Sequence, residues 1–385
     1  MTGDGTGTYV LTGATGFLGS HLMASLLKRG DRVVVLGRRS SKGSLAARID
    51  KLLEWFDLYP RSGQVETAEV DFLKPLCGLD PDRYSALCDK AGTIIHCASD
   101  TRFSEQNRRE STATNVDSLE QIIEFAKNSN APRFHYVSTA YAAGISASYC
   151  PEAPVASERF VNVYEETKAR AEKVVAARCA MHSIPFTIIR PSIVYGDSRS
   201  GRANHFNALY NHVKSLYYIR EIYLNDLCKQ GGLRSEKNGI YLDDKGILHI
   251  PLKVIVSRRG HINLIPVDYF VSATVSILEH GKTGTTYHIT SDVPKTMEDL
   301  AGYCESFLKI QGIEIVCGNA SNAAFNPPEA LFNRFIGPYL PYLSDTRTFD
   351  RSSTDEATTG LIPPEFTYDV FERCMEYAVR VNWGK

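Results

Sequence analysis

Hydrophobic residues in the first 190 positions come in short runs that alternate with longer amphipathic segments. Six runs rich in valine, isoleucine and threonine predict β-strands, at 9–13, 32–37, 65–70, 93–99, 134–139 and 186–192. Several are apolar at consecutive positions, which is typical of strands buried on both faces. Helical patterns lie between them, at 17–29, 43–57, 107–129 and 162–182. The alternation predicts an α/β fold, a doubly wound parallel sheet with helices on both faces.

The rhythm of the pattern changes after Pro191. Residues 202–232 form a long, tyrosine-rich helical pattern. Its apolar side chains fall near one face, at Leu209, Val213, Leu216, Tyr223 and Leu227. A strand-like stretch punctuated by glycines follows at 239–266, and a helix with Asp268 as its N-cap comes next.

The remaining segments complete the sheet and build a second part of the molecule. The stretch 284–290 predicts a further sheet strand, and the loop-rich tail has helical patterns near 328–336 and 365–381. A chain of 385 residues is long enough for one large domain and a smaller lobe. We therefore expect a sheet domain and a smaller, mostly helical C-terminal lobe. The expected boundaries are 1–190 with 262–290 for the sheet domain, and 191–261 with 291–385 for the lobe.

Composition narrows the classes of protein that fit. Apolar residues make up 43% and charged residues 23%, which is ordinary for a globular protein. The net charge of −1 gives no support for binding nucleic acid or an anionic membrane. Neither a transmembrane run nor a signal peptide is evident. The nine cysteines are scattered, without zinc spacing, so we expect no metal site, reduced thiols and a cytoplasmic location.

Three glycines, Gly13, Gly16 and Gly19, follow the first predicted strand and open the first predicted helix. Glycines let the backbone turn sharply and approach a ligand closely, and a helix N-terminus presents unpaired N–H groups and a positive dipole end. This arrangement indicates a Rossmann-type dinucleotide site whose pyrophosphate rests on the turn. The alternative is a glycine turn required only for close packing of the helix on the sheet.

The end of the second predicted strand indicates which dinucleotide binds. An NAD site places an acidic residue about 20 residues beyond the glycine turn, where it binds the ribose 2′-hydroxyl. This sequence has Arg38 and Arg39 there instead, and two guanidinium groups suit the 2′-phosphate of NADPH. The alternative is that one or both arginines only solvate a loop. Asp71, just past the third strand, is a candidate acceptor for the adenine amino group or else a surface-loop aspartate.

Tyr164 and Lys168 lie four residues apart in a predicted helix, so both side chains share one face. A free tyrosine has a pKa of about 10 and exchanges protons reluctantly at neutral pH. A neighbouring ammonium stabilises the phenolate, so we expect Lys168 to lower the pKa of Tyr164 and tune it for proton transfer. The alternative is an ordinary surface pair.

A second polar feature ends the fifth predicted strand, at Ser138 and Thr139. Open α/β sheets bind ligands at the carboxyl ends of their strands, where a hydroxyl can bind a substrate carbonyl oxygen. Adjacent side chains of a strand point to opposite faces, so only one of the two can reach the site. Thr139 is the preferred candidate and Ser138 its rival.

Taken together, these motifs resemble the extended short-chain dehydrogenase/reductase superfamily. The glycine turn, "HCAS" (96–99), Asn115, "VSTAY" (137–141), "YEETK" (164–168) and "RPSIVYG" (190–196) occur in that superfamily's order. "STAY", "RPSIV" and "NLIPVDYFV" (263–271) are most similar to the male-sterility-type NAD-binding branch. That branch includes fatty acyl-CoA reductases and the thioester reductase domains of carboxylic acid reductases and peptide synthetases.

The resemblance implies roles for individual residues. Thr139, Tyr164 and Lys168 would form the catalytic triad, with Tyr164 as proton donor, Lys168 holding the nicotinamide ribose and Thr139 orienting the carbonyl. Asn115 would support Lys168 through a water. The positions that match cofactor contacts are Gly13, Thr15, Gly16, Phe17, Leu18, Arg38, Arg39, Asp71, Phe72, Cys97, Ala98, Tyr164, Lys168, Pro191 and Ser192.

The implied activity is NADPH-dependent reduction of an acyl thioester or an aldehyde. The alternative is an NADP(H)-dependent oxidoreductase for a ketone or secondary alcohol, such as a sterol-like, terpenoid or sugar-derived substrate. A third hypothesis, a non-catalytic relative that binds partners, is disfavoured by the intact Tyr164 and Lys168. The acyl group would be carried by coenzyme A or by an acyl or peptidyl carrier protein. Candidate basic contacts for such a carrier, or else a solvated helix face, are Arg199, Arg202, Lys214 and Arg220.

Overall fold

The computed structural model describes residues 7–129, 131–319 and 323–384. The chain divides into two compact units. Unit 1 consists of residues 1–192, 267–290 and 347–362. Unit 2 consists of residues 193–266, 291–346 and 363–385.

Strands and helices alternate through most of the chain. The strands are β1 Thr8–Thr12, β2 Arg32–Gly37, β3 Val65–Glu69, β4 Thr93–His96, β5 Phe134–Val137, β6 Tyr149–Cys150, β7 Phe186–Pro191, β8 Ile193–Tyr195, β9 Tyr241–Leu242, β10 Leu248–Val256, β11 His261–Ile262, β12 Leu264–Pro266, β13 Thr285–Ile289, β14 Lys295–Thr296, β15 Ile310–Cys317 and β16 Thr348–Phe349. The α-helices are α1 Phe17–Lys28, α2 Leu45–Trp55, α3 Pro81–Lys90, α4 Arg108–Thr112, α5 Leu119–Asn128, α6 Val163–Met181, α7 Leu209–Lys229, α8 Leu233–Lys237, α9 Val267–His280, α10 Met297–Leu308, α11 Pro327–Ile336, α12 Ser352–Thr358 and α13 Tyr368–Arg380.

Unit 1 is built on a seven-stranded parallel sheet in the order β13-β7-β5-β4-β1-β2-β3. The strand order reverses at β1, because β2 lies on one side of it and β4 on the other. In open parallel sheets ligands bind at such a switch point, outside the carboxyl ends of the strands. The predicted fold class, a Rossmann-type doubly wound α/β sheet, is confirmed.

The two central strands are apolar on both faces, which is why they form the middle of the sheet. Val10 and Leu11 of β1 and Ile94 and Ile95 of β4 are fully buried. Burial of a side chain of this size contributes roughly 1.5–3 kcal/mol. The loops that leave β1 and β4 therefore start from a rigid base.

Unit 2 combines helices with a small sheet in which β10 pairs with β15 and β9. The sequence pattern predicted the helix within 202–232, and α7 buries Leu209, Val213, Leu216 and Tyr223, whereas Leu227 is only partly buried. The pattern gave neither α10 nor β15. The alternation of Ile313 and Ile315 with glutamates is the local strand signal in this stretch.

Two local features differ from the sequence-based expectation. Helix α9 begins at Val267, so Asp268 lies in its first turn and not at the N-cap, where its charge still suits the positive dipole end. The segment 347–362, expected in the smaller lobe, belongs to unit 1. It is attached there because β16 pairs with β6 and because the Glu152 carboxylate accepts hydrogen bonds from the backbone N–H groups of Ser353 and Thr354.

Among the described residues, no helix combines the length and the apolar character needed to cross a membrane. The same part of the chain contains no group of three histidine, cysteine or acidic side chains that could hold a metal ion.

Candidate active site

The glycine turn between β1 and α1 brings the ends of two central strands together. Gly13 has a φ of +75°, and a Cβ there would lie 2.6 Å from the backbone N of Ala98. A Cβ on Gly19 would lie 2.2 Å from the carbonyl oxygen of Gly13. Gly13 and Gly19 are therefore required for packing, as the alternative interpretation of the turn proposed. Gly16 is less constrained, because a Cβ there would lie 3.3 Å from the carbonyl oxygen of Gly13, a tight contact but not an overlap.

Gly16 occupies the N-cap position of α1 and provides no side-chain cap. The first turn of the helix carries no acidic residue, so nothing there opposes an anionic ligand. Thr15, Phe17 and Leu18 next to it are only partly buried. Cys97 and Ala98 close the other side of the turn, because their backbone N–H groups donate to the carbonyl and hydroxyl oxygens of Thr12 at 3.3 and 3.1 Å.

The two candidate arginines beyond β2 have different surroundings. Arg38 lines a pocket of about 520 Å³ in unit 1, and its Nη1 lies 3.5 Å from the Thr114 hydroxyl. Arg39 lies 3.6 Å from the Glu69 carboxylate, and its side chain is 88% exposed. Only Arg38 of this pair therefore presents its charge to the pocket.

The two candidates beyond β3 also differ. Asp71 is partly exposed, accepts a hydrogen bond from the backbone N of Leu73 and lies 3.6 Å from the Lys74 ammonium. Phe72 is buried. The structure therefore gives Asp71 local partners of the kind expected for a surface-loop aspartate.

Thr139 and Tyr164 meet at the carboxyl end of β5. The Thr139 hydroxyl lies near enough to the Tyr164 phenol to lower its pKa, and it lies 3.5 Å from the carbonyl oxygen of Pro191. The rival, Ser138, donates a 2.5 Å hydrogen bond to the Glu172 carboxylate instead. The two neighbouring hydroxyls thus point to opposite sides, and it is Thr139 that reaches the phenol.

Burial shifts the pKa values of the helix pair in unexpected directions. Burial raises the pKa of Tyr164 above its ordinary value, although the bond from Thr139 lowers it in part. The net shift is therefore upward and not the expected decrease, because desolvation of the phenol dominates, while the effect of Lys168 itself stays a prediction. The phenol stays protonated at neutral pH, which suits a proton donor.

Lys168 is itself buried beneath the site. Its ammonium donates to the carbonyl oxygen of Val137 at 2.6 Å and lies 4.2 Å from the centre of the Tyr136 ring. Burial lowers the pKa of Lys168 to about 7, although the neighbouring Cys97 and Glu172 raise this pKa in part. The amine therefore changes protonation near neutral pH, where it can take part in proton exchange.

Asn115 lies in a short π-helical turn and is almost fully buried. Its carbonyl oxygen accepts from the backbone N of Asp100 at 2.7 Å and from the Ser99 hydroxyl at 3.1 Å. Its amide donates to the Thr167 hydroxyl at 3.0 Å. Asn115 thus connects the loop after β4 to the residue that precedes Lys168.

Pro191 ends β7, the strand next to β5, and Ser192 follows it. The backbone N of Ser192 donates to the carbonyl oxygen of Ile289 at 3.0 Å. The Ser192 hydroxyl is buried and has no hydrogen-bond partner among the described residues. An orphaned hydroxyl at this strand end leaves a polar group available to a ligand.

Sequence reasoning missed a buried ionic network behind Thr139. Glu172 pairs with Arg190 at 2.6 Å, and both side chains are at most 2% exposed. Arg190 also donates to Nε2 of His288 at 3.1 Å, while Nδ1 of His288 donates to the carbonyl oxygen of Asp350 at 2.9 Å. Glu172 could have been found from its spacing, because it lies four residues beyond Lys168. The strand pairing that brings in His288 has no comparable local signal.

We expect a pH-dependent stability difference between the wild-type protein and the Lys168→Met variant. Lys168 has a pKa of about 7 when folded and 10.5 as its ordinary value. Between these values the unfolded chain binds more protons, so the unfolding free energy of the wild type rises by about 1 kcal/mol per pH unit relative to the variant. Urea unfolding of both proteins from about pH 7 to about pH 10 measures this, and parallel pH dependences would contradict it.

The residues at the switch point fit a bound dinucleotide. Gly16 opens α1 without a side-chain cap, Ser192 offers an unpartnered hydroxyl, and Arg38 presents a cation to a neighbouring pocket. Anionic groups are favoured both at the helix N-terminus and beside the guanidinium.

Known proteins resemble this chain over much of its length. A family model described as male sterility protein matches residues 11–274. The isonitrile lipopeptide synthase of Streptomyces coeruleorubidus is 29% identical over 213 residues, and fatty acyl-CoA reductase 1 of Mus musculus is 29% identical over 228 residues. These matches cover 52% and 48% of this chain but 14% and 42% of the relatives. The chain thus spans less than half the length of either relative.

One solved structure extends the likeness to nearly the whole fold. The terminal R domain from the myxalamid PKS-NRPS biosynthetic pathway matches with a TM-score of 0.75 and 23% identity. The match covers 99% of this chain and 92% of that one. At this identity the likeness shows a shared fold.

Proposed function

The chain belongs to the male sterility protein family, and we propose that it is an NADPH-dependent reductase that transfers a hydride to the carbonyl carbon of an acyl thioester or aldehyde. The family and the short-chain dehydrogenase/reductase fold make it an NAD(P)-dependent oxidoreductase, as the motifs implied. One feature supports the finer assignment: the Thr139 hydroxyl lies near a protonated Tyr164 phenol, and Lys168 follows four residues later on the same helix with its amine buried.

The proposed roles follow from the contacts of each residue. Tyr164 has a raised pKa, so it holds a proton at neutral pH and donates it to the substrate oxygen. Thr139 donates a hydrogen bond to that developing oxyanion or to the phenolate left behind. Lys168, with a pKa near 7, stabilises the phenolate and returns a proton to it. Asn115 keeps the start of this helix fixed through Thr167.

NADPH, when bound, supplies the hydride. The glycine turn with the N-terminus of α1 would hold its pyrophosphate, and Pro191 and Ser192 would lie near its nicotinamide. Addition of a hydride to the acyl carbon and a proton to the oxygen gives a hemithioacetal. This species collapses to an aldehyde and the free thiol of the carrier, which then leaves.

A thioester substrate is supported by the relatives. A fatty acyl-CoA reductase and a lipopeptide synthase match by sequence, and a PKS-NRPS terminal R domain matches by fold. We propose coenzyme A or a carrier protein as the acyl carrier. Two of the four basic candidates for carrier contact already have neighbours in unit 2, since Arg220 pairs with Glu221 and Lys214 lies 6.0 Å from the Tyr218 ring. All four residues, Arg199, Arg202, Lys214 and Arg220, stay candidates for contact with the carrier.

A panel of substrates tests this function. NADPH oxidation is followed with acyl-CoA thioesters, short pantetheine-type thioesters, aldehydes and ketones. We expect turnover with thioesters and aldehydes. Turnover with ketones or secondary alcohols alone would favour the alternative oxidoreductase, and NADPH binding without any turnover would favour the non-catalytic relative.

Arg38 is expected to determine the preference for NADPH over NADH. Arg38→Ala removes a charge-assisted contact to the 2′-phosphate, so KM for NADPH rises about tenfold to a hundredfold and KM for NADH stays the same. Arg39→Ala is the matched control, because Arg39 is exposed beside Glu69 and is expected to change neither constant appreciably. Equal effects of Arg38→Ala on both cofactors would contradict a 2′-phosphate contact.

A further inference from the structure

Arg347 is a buried arginine outside the residues that the family model matches. It opens the segment 347–362 of unit 1 and is 4% exposed. Its Nη2 donates to Oε1 of Glu165 at 3.0 Å, and its Nη1 lies 3.3 Å from Oε2. Nη1 also donates to the carbonyl oxygens of Tyr141 and Gly144 at 3.3 and 3.2 Å. A single guanidinium thus joins two stretches of chain that lie close to the site.

Both stretches carry a residue of the proposed triad. The carbonyl acceptors belong to the short helical turn Ala140–Ala143 and its C-cap Gly144, and Thr139 is the N-cap of that turn. Glu165 directly follows Tyr164 in the first turn of α6. Arg347 therefore spans the two backbone segments from which Thr139 and Tyr164 project.

The contacts of Glu165 and Tyr141 require an arginine at position 347. Glu165 is fully buried, and its pairing with Arg347 supplies the opposite charge that a buried carboxylate needs. The guanidinium also lies 4.7 Å from the centre of the Tyr141 ring, and the face of an aromatic ring attracts a cation at this distance. The fork of donors matches a carboxylate and two carbonyl groups in a way that a lysine ammonium cannot.

From these contacts, we propose that Arg347 is a positioning residue that holds the Thr139 hydroxyl in register with the Tyr164 phenol. The proposal rests on the proposed function, because it assumes that these two groups act on the substrate. Arg347 touches neither reacting group directly and acts through the 140–144 turn and Glu165. Small displacements of reacting groups can cost about a hundredfold in rate, so its loss is expected to affect turnover more than binding.

Arg347→Met and Arg351→Met form a matched pair for the test. Arg351 is equally buried and lies in the same segment, but it contacts the carbonyl of Thr290 and the carboxylate of Asp355. We expect Arg347→Met to lower kcat about tenfold to a hundredfold with KM for NADPH unchanged. Arg351→Met is expected to lower stability and to leave kcat within about twofold. Equal losses of kcat in both variants would overturn the proposal.

Hydrogen exchange gives a readout that needs no turnover. Peptides covering 140–144 and 161–166 are expected to exchange faster in Arg347→Met than in the wild type and Arg351→Met. If Arg347→Met does not fold, Arg347→Lys takes its place in the test. Full kcat and unchanged hydrogen exchange in that variant would refute the positioning role. An inactive wild type would instead refute the proposed function, and the exchange data would still show whether Arg347 joins the two segments.

Discussion

Replacing Tyr164 with phenylalanine is expected to lower kcat by about a hundredfold to ten-thousandfold, the usual contribution of a general acid. In the proposed mechanism the phenol donates a proton to the substrate oxygen, and its raised pKa keeps it protonated at neutral pH. Phenylalanine preserves the ring and its packing, so NADPH affinity is expected to stay the same. The rate of NADPH oxidation measures the first effect, and fluorescence titration of NADPH measures the second.

Tyr84→Phe is the control for this substitution. Tyr84 is buried in unit 1, and its hydroxyl accepts a hydrogen bond from Asn128 at 3.0 Å, away from the described site residues. Its loss is expected to reduce stability by about 1 kcal/mol without changing kcat. A Tyr164→Phe variant as active as Tyr84→Phe would remove Tyr164 from the mechanism.

Glu172→Gln is expected to have the largest effect on stability, a loss of about 3–5 kcal/mol in unfolding free energy. Arg190 would keep its charge in a site that is 1% exposed, without the carboxylate that pairs with it. The His288 ring does not replace the lost negative charge, because it is a neutral acceptor whose pKa burial lowers to about 3. Urea unfolding of the variant measures the loss.

The double variant Glu172→Met with Arg190→Met separates charge from packing. Replacing a buried ion pair by apolar side chains of similar size is often neutral or stabilising. We expect the double variant to be more stable than Glu172→Gln. If both variants unfold at the same urea concentration, the charge of Arg190 is not the cause of the loss.

The sequence predicted most of unit 1 because its signals are local. Alternating runs of Val, Ile and Thr predicted the strands, and the Tyr164/Lys168 spacing predicted a shared helix face. The choice between Ser138 and Thr139 needed the structure. The pleat of a strand places adjacent side chains on opposite faces, but it does not determine which of the two hydroxyls faces the site. Ser138 donates to Glu172 and Thr139 lies near the Tyr164 phenol, which supports Thr139 as the hydroxyl of the proposed site.

Features that depend on distant parts of the chain were not predictable in this way. The tail pattern indicated helices but no partner, so the return of 347–362 to unit 1 and the contact of Arg347 with Glu165 carried no local signal. The pKa of Tyr164 was misjudged for a related reason. Helix spacing shows that an ammonium is near, but the degree of burial, which dominates the shift, follows from tertiary packing.

The most direct test of the central claim uses NADPH that carries deuterium at the transferable position of the nicotinamide. The protein is incubated with this cofactor and an acyl-CoA thioester, and the products are analysed by mass spectrometry. We expect an aldehyde, or the alcohol derived from it, with deuterium on the former carbonyl carbon, and almost none of it with Tyr164→Phe. A product without deuterium, or equal labelling by wild type and variant, would contradict hydride transfer assisted by Tyr164.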